Sequence, residues 1–124
     1  MAYLNQKPIA QGEITFFPVT PDHFDGSSFS PVEMDGNAFI VAHSEKGNHH
    51  VIERTDGVDV MEVQSQHEAE GLTILRAIVE NPEGAMVVNK DPRGHETLRL
   101  PQAIYEARIN RELGLDDVIR RTED

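Results

Sequence analysis

The feature that most constrains this chain is its punctuation. Short apolar and β-branched runs recur between clusters of Gly, Pro, Asp and Asn: AFIVAH at 38–43, HHVIER at 49–54, VDVMEV at 58–63, LTILRAIV at 72–79, AMVVN at 85–89 and TLRL at 97–100. The breaks between them are turn material, with Thr55-Asp56-Gly57, Asn81-Pro82-Glu83-Gly84 and KDPRG at 90–94. Side chains alternate along a strand, so runs of this length closed by such turns predict strands rather than helices. Many short strands in succession predict a mainly β fold with little helix, a small antiparallel barrel or sandwich.

Three segments depart from this pattern. Residues 8–19, PIAQGEITFFPV, read as one strand with Ile14, Phe16 and Pro18 on one face. Pro18 and Pro21 argue against a helix or a central strand there, because proline has no N–H for a ladder. Residues 20–37 are dense in Pro, Gly, Ser, Asp and Asn and predict a long, partly mobile loop pinned by Phe24 and Phe29. Residues 101–114, PQAIYEARINRELG, carry two patterns. Pro101, Gly114 and intrinsic propensity favour a helix, whereas Ala103, Tyr105, Ala107 and Ile109 alternate as a strand would.

At 124 residues the chain is expected to form one domain over 1–124, with a weakly structured tail from about residue 115. It has no cysteine, which excludes disulfides, thiolate metal sites and thiol chemistry. The start, MAYLNQKPIAQGEI, lacks a basic stretch followed by an apolar run, so no secretory signal is expected. No stretch approaches the ~20 apolar residues of a membrane helix, and a soluble cytoplasmic protein without membrane partners is expected. The formal charge is −11 and uneven: residues 1–89 hold 4 basic and 14 acidic residues, residues 90–124 hold 7 and 8. An acidic surface repels phosphate backbones, so no nucleic-acid partner is expected. The charge asymmetry, and the sheet edges that a small β domain must hide, favour self-association, with a dimer as the expected form.

The candidate site is a histidine cluster. AHSEKGNHHVIE places His43, His49 and His50 around Gly47-Asn48, and His95 follows in RGHETLRLP. Across a hairpin with an even loop, positions 43 and 50 fall on one face, directly opposed at about 4.5–5.5 Å between Cβ atoms or diagonal at about 7–8 Å. Phe39, Val41 and Ile52 would share that face, and His49 would lie on the other, in solvent. Two imidazoles at such separations suit one divalent transition metal. His95 is the best third ligand, with Glu96 as an oxygen donor and Asp91 and Glu53 in reserve. The competing reading makes His43 and His50 hydrogen-bonded sheet residues without a metal. His23 and His67 sit in polar segments and are expected at the surface. No GxxxxGK loop and no G-x-S-x-G elbow occurs.

The chain resembles a set of uncharacterised small bacterial and phage-borne β-rich proteins. These carry a G-H-x-H type turn and later E-H, then L-P-x-G-x-Y-x-V-x-R-Q-R-E-Y. GNHHV at 47–51 is similar to the first motif, with His50 as its second histidine and Asn48 in place of its first. GHETLRLPQAIYEARINREL at 94–113 is similar to the second through His95, Leu100, Pro101, Tyr105, Arg108, Arg111 and Glu112, with Ala103 in place of glycine. The resemblance covers roughly residues 38–113 and implies a β-rich domain with a strand at 101–110, but no activity. Asn48 weakens any metal site carried over from it.

Two functions compete. One is a metal- or ligand-binding β domain, cupin-like in outline, with or without enzymatic activity, using His43, His50, His95 and Glu96. The usual cupin spacing, H-x-H followed closely by a glutamate, is absent. The other is a non-catalytic, phage-associated assembly or accessory protein that self-associates. A third, an acidic mimic of nucleic acid, would need carboxylates ordered along one face, and these are scattered.

Overall fold

The computed structural model describes residue 4 and residues 6–42, 49–64, 72–89 and 96–110, with the backbone alone at positions 72, 96 and 110. His43, His67, Asp91, His95 and the tail from about residue 115 lie outside the described residues. Among the described residues there are eleven strands and no helix: β1 Ile9–Gln11, β2 Ile14–Val19, β3 Ser28–Pro31, β4 Met34–Asp35, β5 Ala38–Ala42, β6 His50–Glu53, β7 Val58–Gln64, β8 Leu72–Val79, β9 Ala85–Asn89, β10 Glu96–Leu100 and β11 Ala103–Asn110. They form two antiparallel sheets. Sheet I runs β1-β2-β11-β8-β7-β3 and sheet II runs β10-β9-β6-β5-β4. Neither closes on itself, so the fold is a sandwich and not a barrel.

Alternation builds the core. In β7, Val58 and Val60 are buried while Asp59 between them is exposed. Ile14, Phe16, Val60, Leu75, Ala77 and Tyr105 of sheet I join Phe39, Ile52 and Val87 of sheet II in one buried cluster. Each fully buried aliphatic or aromatic side chain contributes about 1.5–3 kcal/mol. β11 shows why the helical propensity of 103–110 loses. The strand is central, paired with β2 on one side and β8 on the other. Its alternating Tyr105, Ala107 and Ile109 are all buried in the core. Tyr105 meets Phe16 edge-to-face at 6.2 Å, and its hydroxyl donates to the Pro101 carbonyl at 2.7 Å, tying the β10–β11 corner.

Two expectations need correction. Residues 8–19 form not one strand but a hairpin, with Gln11 opposite Ile14 and Gly12-Glu13 as the turn. Gly12 has φ +59° and Glu13 a negative φ, as a type II′ turn requires. β2 is also an inner strand despite Pro18. β1 ends before reaching it, and the Pro18 carbonyl accepts from Leu4 N on that side. The N and C=O of one strand residue point the same way, so the missing N–H faces away from β11 and costs its ladder nothing.

The 20–37 segment is likewise not a loop throughout. Successive backbone turns at 20–27 lead into β3, which pairs with β7, and β4, which pairs with β5. The 20–27 stretch lies over the outer face of sheet I, where Phe24 is buried with Val19 and Val63.

Candidate functional site

His50 opens β6 and is 6% exposed. It lies on the inner face with Ile52, but its partner is not position 43. Ala42 pairs with His50 and Ile40 with Val51, so a β-bulge at 40–42 shifts the register. The connection between the paired positions, 43–49, is odd in number, and the even-loop premise for His43 fails. His43 itself lies outside the described residues.

The β1–β2 hairpin turn packs on the His50 ring. A Cβ at Gly12 would sit 3.1 Å from His50 Cε1. On one side of that glycine, Gln11 is 3% exposed and holds its Oε1 at 3.0 Å from His50 Nδ1. On the other, Glu13 brings Oε1 to 4.0 Å from His50 Nε2. Gln11 Nε2 donates to the Val87 carbonyl at 3.5 Å. That carbonyl only accepts, so the amide NH₂ faces it and the amide oxygen faces the ring. Nδ1 therefore donates to the amide oxygen, and Nε2 is the ring nitrogen on the Glu13 side. A ring nitrogen oriented in this way can ligate a metal or take up a proton as Glu13's cationic partner.

The other predicted ligands divide clearly. Glu96 begins β10, paired to Asn89, which is itself paired to His50, so the three positions form one row across sheet II. His95 precedes it, outside the described residues. Glu53 points away, because it lies three positions beyond His50 on the alternating strand and is exposed. His49 is half-buried rather than solvated. Among the described residues no three His, Asp or Glu side chains come together at metal-binding range.

A second polar cluster lies on the outer face of sheet I, and the sequence reading missed it. His23 is not a surface residue: its side chain is 4% exposed and its Nε2 lies 2.6 Å from Glu106 Oε1. Glu106 is 5% exposed and also accepts from Arg108 Nε at 2.5 Å. The His23 ring stands edge-on to Phe24 at 4.8 Å. In the same loop the Thr20 hydroxyl donates to Asp22, and this bond, followed by one from the Asp22 backbone, holds that carboxyl below its ordinary range. Directly across from Glu106, Arg76 of β8 lies over the Phe29 ring, 4.0 Å from its centroid. Period two does place Glu106 opposite the core-facing Tyr105 and Ala107. The missing signal was that residues 20–27 cover that face.

No curated protein and no solved structure matches the chain. A family model described as "Domain of unknown function (DUF8820)" matches residues 10–110, and the chain belongs to that family.

Proposed function

We propose that this protein is a β-sandwich module that binds a divalent transition metal at His50, and that Glu13 joins it as an oxygen ligand. The supporting observation is the Gln11 bridge from Val87 to His50 Nδ1. Metal-ligating histidines characteristically donate their other ring N–H in this way, which fixes the tautomer. Metal–nitrogen and metal–oxygen bonds of about 2.0–2.2 Å at a tetrahedral angle put the two donor atoms roughly 3.4 Å apart. The Glu13 carboxylate, 31% exposed and 4.0 Å from Nε2, needs to move only about half an ångström. His95 and Glu96 are the further ligands in this reading, because β10 starts in the His50 row. His43 is the weakest member, since the bulge removes the argument that paired it with His50.

The test is titration of the apo protein with Co(II), followed by visible absorption and checked by elemental analysis. The parent should bind about one ion per chain with a tetrahedral d–d spectrum. His50→Ala should abolish it, Glu13→Gln and His95→Ala should each weaken it about 10–100-fold, and Gln11→Ala should weaken it comparably by freeing the ring. Binding must fade on acidification, because a protonated imidazole cannot ligate. Unchanged stoichiometry and affinity in His50→Ala would remove the proposal.

A second reading follows from the sheet edges. β1, β3 and β4 are outer strands of three, four and two residues, whereas β10 is an outer strand of five. Continuation of sheet II across β10 would give a self-associating accessory protein, and the phage-borne setting of the resembling proteins goes with it. A strictly monomeric mass by light scattering at low salt would rule this out.

A further inference from the structure

We propose that the groove between residues 20–27 and the outer face of sheet I binds a small monocarboxylate with an apolar, aromatic-sized body. The groove has a volume of about 270 Å³. Phe24, Phe29, Ile78 and Ile104 supply apolar walls, and Arg76 is the basic group among the residues that line it. Small-molecule sites are mostly apolar with a few placed polar groups, and this volume admits a body of about ten non-hydrogen atoms.

Arg76 is the reason for the carboxylate. Its guanidinium is held against the Phe29 ring, a contact made by the face of the fork and not by its N–H edge. Its Nε is buried and has no hydrogen-bond partner among the described residues. Its Nη2 donates to Asp59 Oδ2 at 3.3 Å, beyond the usual N–H···O range, and that carboxylate is 53% exposed. A guanidinium with an idle Nε and a long exposed bond gains most from a planar acceptor that engages Nε and Nη together, and a carboxylate is such an acceptor. Because Nε is itself covered, the ligand binds as the guanidinium turns towards the groove and releases Asp59. Asp25, exposed at the groove, opposes a second negative charge. The net charge of −11 opposes polyanions in the same way. One carboxylate on an apolar body satisfies both limits.

The probe is phenylacetate, titrated into the ¹⁵N-labelled full chain and followed by amide chemical shifts, with 2-phenylethanol as its neutral counterpart. The expected result is saturable shifts concentrated at Phe29, Ile78 and Ile104. The alcohol should bind at least about tenfold more weakly, and so should phenylacetate to Arg76→Met. Arg76→Lys keeps a charge on a long stem but not the fork, and should also bind more weakly than the parent. It serves as the variant of record if Arg76→Met fails to fold. Shifts that scatter without saturating, equal affinity for the alcohol, or undiminished affinity in the folded Arg76 variant would overturn the proposal.

Discussion

Truncating Glu106 to alanine should be among the most damaging single changes at a polar position in this sandwich. The carboxylate is 5% exposed and lies 2.6 Å from His23 Nε2 and 2.5 Å from Arg108 Nε. The two partners do not suffer equally. Arg108 is 40% exposed and regains water when the carboxylate is removed, so its share is about 0–1 kcal/mol. The His23 side chain is 4% exposed and keeps no solvent to replace the acceptor. A buried hydrogen-bonding group that loses its acceptor costs about 1–3 kcal/mol, and we place Glu106→Ala near the upper end, about 3 kcal/mol, because the carboxylate is itself buried between His23 and Arg108. Glu106→Gln keeps an acceptor oxygen for one partner and should cost about 1–2 kcal/mol. The assay is urea unfolding of the parent, Glu106→Ala, His23→Ala and the double variant, read as the midpoint at constant slope. His23 and Glu106 should couple by about 1–3 kcal/mol in the cycle. A cost below about 1 kcal/mol for Glu106→Ala, or single effects that add to within about 0.5 kcal/mol, would refute the view that this pair ties the 20–27 segment to the sheet.

Two further changes test the corners of the fold. Burial raises the Tyr105 phenol above its ordinary 10.0. The folded state therefore keeps a proton that the unfolded state loses, so this contribution is intact below pH 10.0 and declines as pH rises through the folded value. Tyr105→Phe should cost about 1–2 kcal/mol at neutral pH, since the Pro101 carbonyl loses its donor, and should flatten the alkaline decline in unfolding midpoint. A decline parallel to the parent's would assign it to other groups. Gly12→Ala must hold a left-handed backbone, at about 1–2 kcal/mol, while its methyl meets His50 Cε1 at 3.1 Å. Lower stability together with a shifted His50 ring resonance is expected, and a neutral effect would show that the turn relaxes freely.

The strands were legible because burial on an alternating chain leaves a mark in the residues themselves. Val58, Asp59 and Val60 announce β7, and Tyr105, Ala107 and Ile109 outweigh a helical propensity once β2 and β8 flank them. What was not legible is what touches what. The bulge at 40–42 leaves no turn residue behind, yet it moves the partner of His50 from position 43 to Ala42. The Gly12-Glu13 turn is hidden in a run that reads as a single strand, so nothing in the spacing places Gln11 and Glu13 beside His50. Pro18 argued against an inner strand, because sequence alone cannot reveal that β1 stops short of it.

The two buried polar clusters share one construction, and it explains why spacing alone selected only one of their histidines. In each, a histidine meets its polar partner because a segment folds back from a distant part of the chain. The β1–β2 turn closes on His50, 39 positions from Gln11. The 20–27 segment carries His23 onto Glu106, 83 positions away. Burial then decides what each imidazole does. His50 donates from Nδ1 to an amide oxygen and faces a partly exposed carboxylate with Nε2. His23 meets a buried carboxylate at hydrogen-bond distance, with Arg108 on its far side. The first pair stands 4.0 Å apart, whereas the second is in contact at 2.6 Å. His50 is thus the residue on which the proposed metal site rests and His23 is a structural tie, although the sequence assigned the one to a candidate site and the other to the surface.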